Sequence, residues 1–324
     1  MIRLALRLSL MGVLLAALQV LFAAATGYKD TPSPVRLCDG YLGEGCDVLY
    51  LGDSTLYSVA PDDEDKAHTD QMLQRLLPGL SVCRIAHDAY HLELYEAFCR
   101  YVAGKVRRPR VVIMPINLGT LSPYWDRRPE YQFERIKLFL RHDNPLFRAF
   151  YRPLATFRVF DLAPISQEEY DQTPVYDGEH YIGPMATFTS PEYATFSDEH
   201  MRNQLVLRYL YPIPSDQRKL EAMEDIVDRL ESANVMLVFY LTPIDFETGN
   251  THMGERFQQH IRENAHKVLM RLQKRGVKAL DLSLALSADC FYWGNMYVNE
   301  HLNQHGRRFV AEQLARAIKE RLRQ

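Results

Sequence analysis

The sequence predicts a three-layer α/β fold around a parallel sheet, and three observations predict it. Five short apolar runs recur along the chain: DVLYL at 47–51, SVCRI at 81–85, RVVIMPI at 110–116, NVMLVFYL at 234–241 and VKALDL at 277–282. Helical stretches at 71–77, 92–106, 217–233, 256–275 and 306–323 alternate with them. Such alternation implies βαβ units with right-handed crossovers and a sheet covered on both faces. With 324 residues, 47% of them hydrophobic, the chain can bury a large core without metals or disulfides.

The first run, DVLYL, reads as a buried parallel strand because it lacks the polar alternation of a half-exposed one. The rhythm stops between Leu118 and Gln217, where aromatic residues crowd together: Tyr124, Trp125, Tyr131, Phe133, Phe147, Phe150 and Tyr151 among them. A structureless loop of about 100 residues is improbable in a compact domain. The expected organisation is therefore a split α/β domain, residues 30–117 and 217–324, carrying an inserted subdomain at 118–216 that is helical over 131–140 and sits above the strand ends. Exposed rings there would stack on sugar faces, although most such rings are expected to form the insertion's own core.

Residues 1–29 form a separate unit, a signal peptide or an N-terminal membrane anchor. Arg3 and Arg7 precede 18 uncharged residues, Leu8–Ala25, and Ala23 and Ala25 have the spacing of a cleavage site. A buried N-terminal helix fits less well, since only Ser9 and Gln19 interrupt the run. With the arginines held inside, the bulk of the chain lies on the non-cytoplasmic side. Disulfides are then possible among Cys38, Cys46, Cys83, Cys99 and Cys290. Cys38 and Cys46 enclose a short glycine-containing loop, and the alternatives are a Cys38–Cys46 bridge or two free thiols. No C-x-x-C pair supports a zinc site. Lysine and arginine number 38 against 41 acidic residues, a net charge of −3 that leaves no basic surplus for a nucleic acid.

The chemistry concentrates at strand ends, where an open parallel sheet binds its ligands. Ser54 follows the first strand as a candidate nucleophile, with backbone N–H groups beside it for a developing oxyanion, although it could equally cap a helix. His301 lies in the loop after the fifth strand, on the same edge, as a candidate general base. Asn117 stands just beyond RVVIMPI, where its amide could donate to an oxyanion.

These residues resemble the SGNH (GDSL-type) hydrolases, serine esterases and acyltransferases on a flavodoxin-like sheet. Gly52-Asp53-Ser54 matches the first block and implies Ser54 as nucleophile and its N–H as an oxyanion donor. In the second block Arg84, Ala86 and Ala89 stand where the family has Asn, Gly and Gly. Ala89 can still offer its N–H if its φ is negative. The third block survives only as Asn117 within Pro115-Ile116-Asn117-Leu118. In the fifth, His301 is kept with Gly306 downstream, but Val298 stands where the family has its orienting Asp. Glu300 is the first candidate for that lost carboxylate. Asn299, Asp281, Asp289 or a backbone carbonyl are the alternatives.

His305, four residues after His301, lacks a third ligand of suitable spacing, so no metal or other cofactor is expected. His68, His87 and His91 read as loop histidines near the second block. The acidic run Asp62-Asp63-Glu64-Asp65 reads as a solvated face, with a calcium site as the sharper alternative. Two functions compete. One is an exported or anchored O-acyl esterase or acyltransferase acting on acetyl groups of an envelope or extracellular polysaccharide. The other is a catalytically degenerate carbohydrate-binding or assembly component of an export complex.

Overall fold

A computed structural model of the chain describes residues 2–26, 30–160, 162, 165–178, 180–188, 198–292 and 300–323. The long apolar helix α1 (Ile2–Thr26) comes first, followed by α2 (Ser33–Glu44). The sequence reading missed α2 and took its second half for a loop. Its glycines Gly40 and Gly43 are helical, and Cys38 faces inward with no exposed surface.

The core of the fold is five parallel strands: β1 (Val48–Gly52), β2 (Val82–Ala86), β3 (Val111–Ile116), β6 (Met236–Leu241) and β7 (Leu280–Asp281). The remaining two, β4 (Pro174–Tyr176) and β5 (Tyr181–Pro184), form a separate antiparallel hairpin. The large sheet has the order β2-β1-β3-β6-β7. That is the flavodoxin-type order, in which the winding direction reverses at β1 and β3 and leaves a crevice beyond their carboxyl ends.

Period-two alternation assigns each strand residue to one of two faces. Leu49, Leu51, Val112, Met114, Phe239 and Leu241 face one way, into the core shared with α5 (Leu92–Ala103), α11 (Arg218–Ser232) and α13 (Arg256–Lys274). Val48, Tyr50, Val111, Ile113, Val238 and Tyr240 face the other way, toward α3 (Ser54–Tyr57), α4 (Thr69–Leu76) and α14 (Gln304–Leu322). Every residue of β1 and β3 is buried, which is why those strands read as unbroken apolar runs.

Between β3 and β6 the chain forms a 3-10 turn (Leu118–Leu121) and then α6 (Pro123–Asp126), α7 (Glu134–Arg141), α8 (Pro145–Thr156), α9 (Gln167–Asp171), the hairpin and α10 (Asp198–Arg208). Many of its rings pack on one another: Phe139 lies 4.6 Å from Tyr151 and 5.2 Å from Phe147 between centroids. Phe139, Tyr170, Met201 and Leu205 belong to the same buried cluster as Leu51 and Met114, so this stretch extends one sheet face. The short helix α12 (Phe246–Met253), which the sequence reading missed, follows β6 and packs on α13.

Two expectations fail here. Cys46 pairs with Cys83, joining the end of α2 to β2 across 37 positions, while Cys38 stays free. Register decides this: Leu49 lies opposite Cys83 in adjacent parallel strands, so the approach to β1 runs beside β2. Burial pushes the Cys38 thiol up to about 12. The acidic loop is also not a solvated face throughout, because Asp63 is buried.

Candidate active site

Gly52 ends β1 because the chain turns back at once: a Cβ there would lie 2.4 Å from Leu56 Cδ1. Asp53 caps the helix that follows, its Oδ1 accepting from the Thr55 N–H at 2.9 Å and the Thr55 hydroxyl at 2.6 Å. The capping role open to Ser54 in the sequence is thus taken by Asp53. Ser54 occupies the first helical position, and its Oγ lies 3.0 Å from His301 Nε2. With Oγ donating, Nε2 is the unprotonated ring nitrogen, the form that can accept a nucleophile's proton.

One buried guanidinium holds these two loops together. Arg307 has no exposed surface and donates to the carbonyls of Ser58 at 3.3 Å, Ala67 at 2.9 Å, Asp65 at 2.8 Å and Leu302 at 2.9 Å. It pairs with Asp63 at 2.8 Å, and Asp63 also accepts from the Gln304 and Ala60 N–H groups, each at 2.8 Å. Ser58 closes the turn that Ser54 opens, and Leu302 adjoins His301, so the nucleophile and base loops share one staple. This corrects the calcium alternative: Asp63 is committed to Arg307 and Asp65 to Arg75 at 2.7 Å. Among the described residues no group of three or more ligating side chains forms a metal site.

Asn117 sits at the end of β3. Its Nδ2 donates to Asp53 Oδ2 at 3.2 Å and its Oδ1 accepts from Gly119 N–H at 2.9 Å. One amide proton is therefore left over for the cavity. Burial raises the Asp53 carboxyl above the ordinary carboxylate range; hydrogen bonds from Thr55 and Asn117 oppose that shift, and the Glu300 charge adds to it. Ala89 departs from the sequence expectation. Its φ is +58°, not negative, so an alanine occupies the left-handed conformation that glycine adopts most easily. Among the described residues neither the Ser54 nor the Ala89 N–H has a protein acceptor. Both residues line one cavity of about 320 Å³ with Asn117 and His301.

Glu300 does not occupy the place the sequence reading gave it. Its carboxylate makes no hydrogen bond or ion pair with His301; Oε1 instead fills the space above Gly119, 2.7 Å from where a Cβ would stand. Two alternatives are engaged elsewhere. Asp281 accepts from the N–H and hydroxyl of Ser283 at 3.1 and 2.6 Å, and Asp289 accepts from the Ser287 hydroxyl. Val298 and Asn299 lie outside the described residues.

The segment after β3 supplies the outer wall. Trp125 and Tyr131 line the cavity with ring centroids 4.9 Å apart, and Arg208 from α10 lies 5.8 Å over Trp125. Buried Lys219 fixes this wall from beneath, bonding the Thr120 carbonyl at 2.5 Å and Asp126 at 3.2 Å. His91 holds it from the side, its Nε2–H donating to the Tyr131 carbonyl at 2.8 Å. Sequence reasoning missed Arg208, Lys219 and Arg307. Of these only Arg307 carried a signal, its position just after the His301 motif.

No family model and no curated protein matches the chain. Among solved structures, a catalytic mutant of Axe2, an acetylxylan esterase from Geobacillus stearothermophilus, is similar at 10% identity and TM-score 0.38, covering 84% of this chain and 93% of that one. Another Axe2 variant reaches 12% identity and TM-score 0.40 with 84% and 94% covered. The architecture seen in the strand order and helix layers is that of an α/β protein with a flavodoxin-type sheet.

Proposed function

We propose that this chain is a serine-dependent O-acyl esterase or acyltransferase of SGNH type, acting on an acylated carbohydrate outside the cytoplasm. The observation that carries the proposal is the 3.0 Å contact between Ser54 Oγ and His301 Nε2 at the carboxyl edge of the sheet. Ser54 Oγ attacks the ester carbonyl carbon and its proton passes to Nε2. The tetrahedral oxyanion takes hydrogen bonds from the Ser54 N–H and the Asn117 amide, with the Ala89 N–H as a third donor that, despite the positive φ, belongs to a residue lining the cavity and has no acceptor among the described residues. On collapse the protonated imidazole returns that proton to the departing alkoxide. Water or a second sugar hydroxyl then attacks the acyl-serine, with His301 again as base.

The Trp125 and Tyr131 rings in the cavity wall support a carbohydrate as the alcohol portion. Two features support an extracytoplasmic location. Ile2–Phe22 is long and apolar enough to cross a membrane, with a mean hydropathy of 2.0 and no burial. The Cys46–Cys83 bridge is at home in an oxidising compartment. The alternative, a degenerate binding component of an export complex, draws no support from a nucleophile and base already within hydrogen-bond reach.

The test is labelling by a fluorophosphonate together with turnover of 4-nitrophenyl acetate. The wild type should do both and Ser54→Ala neither. A wild-type protein that resists the probe and leaves the ester intact would remove the enzyme reading.

A further inference from the structure

Glu300 is more than nine-tenths buried, with 8% of its surface exposed, and lines the same cavity as Ser54 and His301. Among the described residues no hydrogen bond or ion pair reaches its carboxylate. Its carboxylate faces the cavity with its acceptor sites uncommitted, so a ligand hydroxyl entering there meets a strong acceptor. The backbone is arranged to admit it: Gly119 leaves open the volume that Oε1 occupies, and a Cβ there would stand 2.7 Å from that oxygen and 3.1 Å from Asn117 Oδ1. The carboxylate therefore lies beside the asparagine proposed to face the oxyanion, in the cavity that the Trp125 and Tyr131 rings also line.

We propose that Glu300 is a specificity-determining residue that accepts a hydrogen bond from a free hydroxyl neighbouring the ester on the substrate's sugar ring. The substrate class is then a partially acylated neutral sugar. The reasons are chemical. A hydroxyl is a donor that a carboxylate can accept from without neutralisation, and a ring lying against Trp125 and Tyr131 presents its substituents edge-on. Three acidic side chains, Asp53, Asp88 and Glu300, line the cavity against the single guanidinium of Arg208, so an anionic ligand would meet an excess of negative charge. This assignment rests on the esterase reading above, and it replaces the role of orienting acid expected from the sequence.

Two ligands decide it: a mono-O-acetylated methyl glycoside with a free hydroxyl next to the ester, and the same compound with that hydroxyl methylated. Wild-type protein should favour the free hydroxyl by at least about tenfold in kcat/KM, and Glu300→Met should bring the ratio close to one. An unchanged ratio in Glu300→Met overturns the proposal, as does a wild type that does not distinguish the pair. An orienting acid would lower both rates together and leave the ratio intact. The same comparison runs without turnover, by calorimetric binding of the two glycosides to Ser54→Ala and to Ser54→Ala with Glu300→Met. Loss of preference in the double variant supports recognition even if 4-nitrophenyl acetate turnover fails. Equal binding of both glycosides by Ser54→Ala overturns it.

Discussion

Arg307 and Asp63 form a fully buried ion pair, 2.8 Å from nitrogen to oxygen, between the helix that follows His301 and the loop that follows Ser54. The contact of the two reactive groups depends on it, because Ser54 and His301 are 247 positions apart and meet only where these loops are stapled. Removing one partner leaves a charge without compensation in a dry site, which typically costs about 3–5 kcal/mol. Arg307→Met should therefore lower the unfolding free energy by that order in urea titration. Asp63→Asn, which removes the counter-charge of Arg307 and turns an NH2 toward one of the donors that both carboxylate oxygens accept from, should cost a comparable amount. Both should reduce ester turnover more than a surface arginine variant such as Arg75→Met. Wild-type stability in Arg307→Met would show that the staple is dispensable.

Ala89 holds a φ of +58°, a conformation that costs a non-glycine residue roughly 1 kcal/mol or more. Glycine relieves that strain while giving back about 0.5–1 kcal/mol of chain entropy. Ala89→Gly is accordingly expected to match wild-type stability within about 1 kcal/mol and to keep its activity. Ala89→Val adds a branched Cβ in the same backbone conformation and should be destabilised and slowed. The comparison is read from thermal unfolding and 4-nitrophenyl acetate turnover on the three proteins. If valine is tolerated as well as glycine, the turn is not fixed by this residue.

His91 is buried and its pKa is pushed well below the ordinary 6.5, first by desolvation and then by the positive charge of Lys219. The unfolded chain protonates this histidine near pH 6.5 and the folded one resists. The stability it permits is therefore complete above about pH 6.5 and is lost as pH falls toward the folded value, by at most about 1.4 kcal/mol per unit. His91→Gln retains a donor for the Tyr131 carbonyl and removes the titration. Urea unfolding at pH 7, 6 and 5 should show a shallower decline in this variant than in the wild type. Identical slopes would assign the acid sensitivity to other groups.

Cys46 and Cys83 close a loop of 37 positions. The chain-entropy estimate for a loop of that length is about 4 kcal/mol at 25 °C. Reduction, or a Cys46→Ser and Cys83→Ser double variant, should lower stability by up to that amount. Cys38→Ser should leave the bridge intact, as mass spectrometry under non-reducing conditions would reveal. A bridge found between Cys38 and Cys46 would contradict the register of β1 and β2.

The strands that the apolar runs predicted are those buried on both faces. β1 and β3 lie within a residue of their expected ends, since an unbroken buried strand writes itself directly into composition; the half-buried edge strand β2 lies equally close to its expected place. The helix α2 escaped notice because Gly40 and Gly43 are poor helix formers, and tertiary packing of Val35, Cys38 and Leu42 overrides them. Asp63 looked solvated because the other three positions of the run, Asp62, Glu64 and Asp65, are all acidic. Its partner lies 244 positions away, where no local pattern can point to it.

Ser54, Asn117 and His301 were recognisable as candidates from sequence alone, because the residue type and its place at a strand end are both local properties. Their mutual geometry, the left-handed turn at Ala89 and the position of Glu300 over Gly119 were decided by the fold. Distance, burial and the absence of a partner arise only when separate segments pack together.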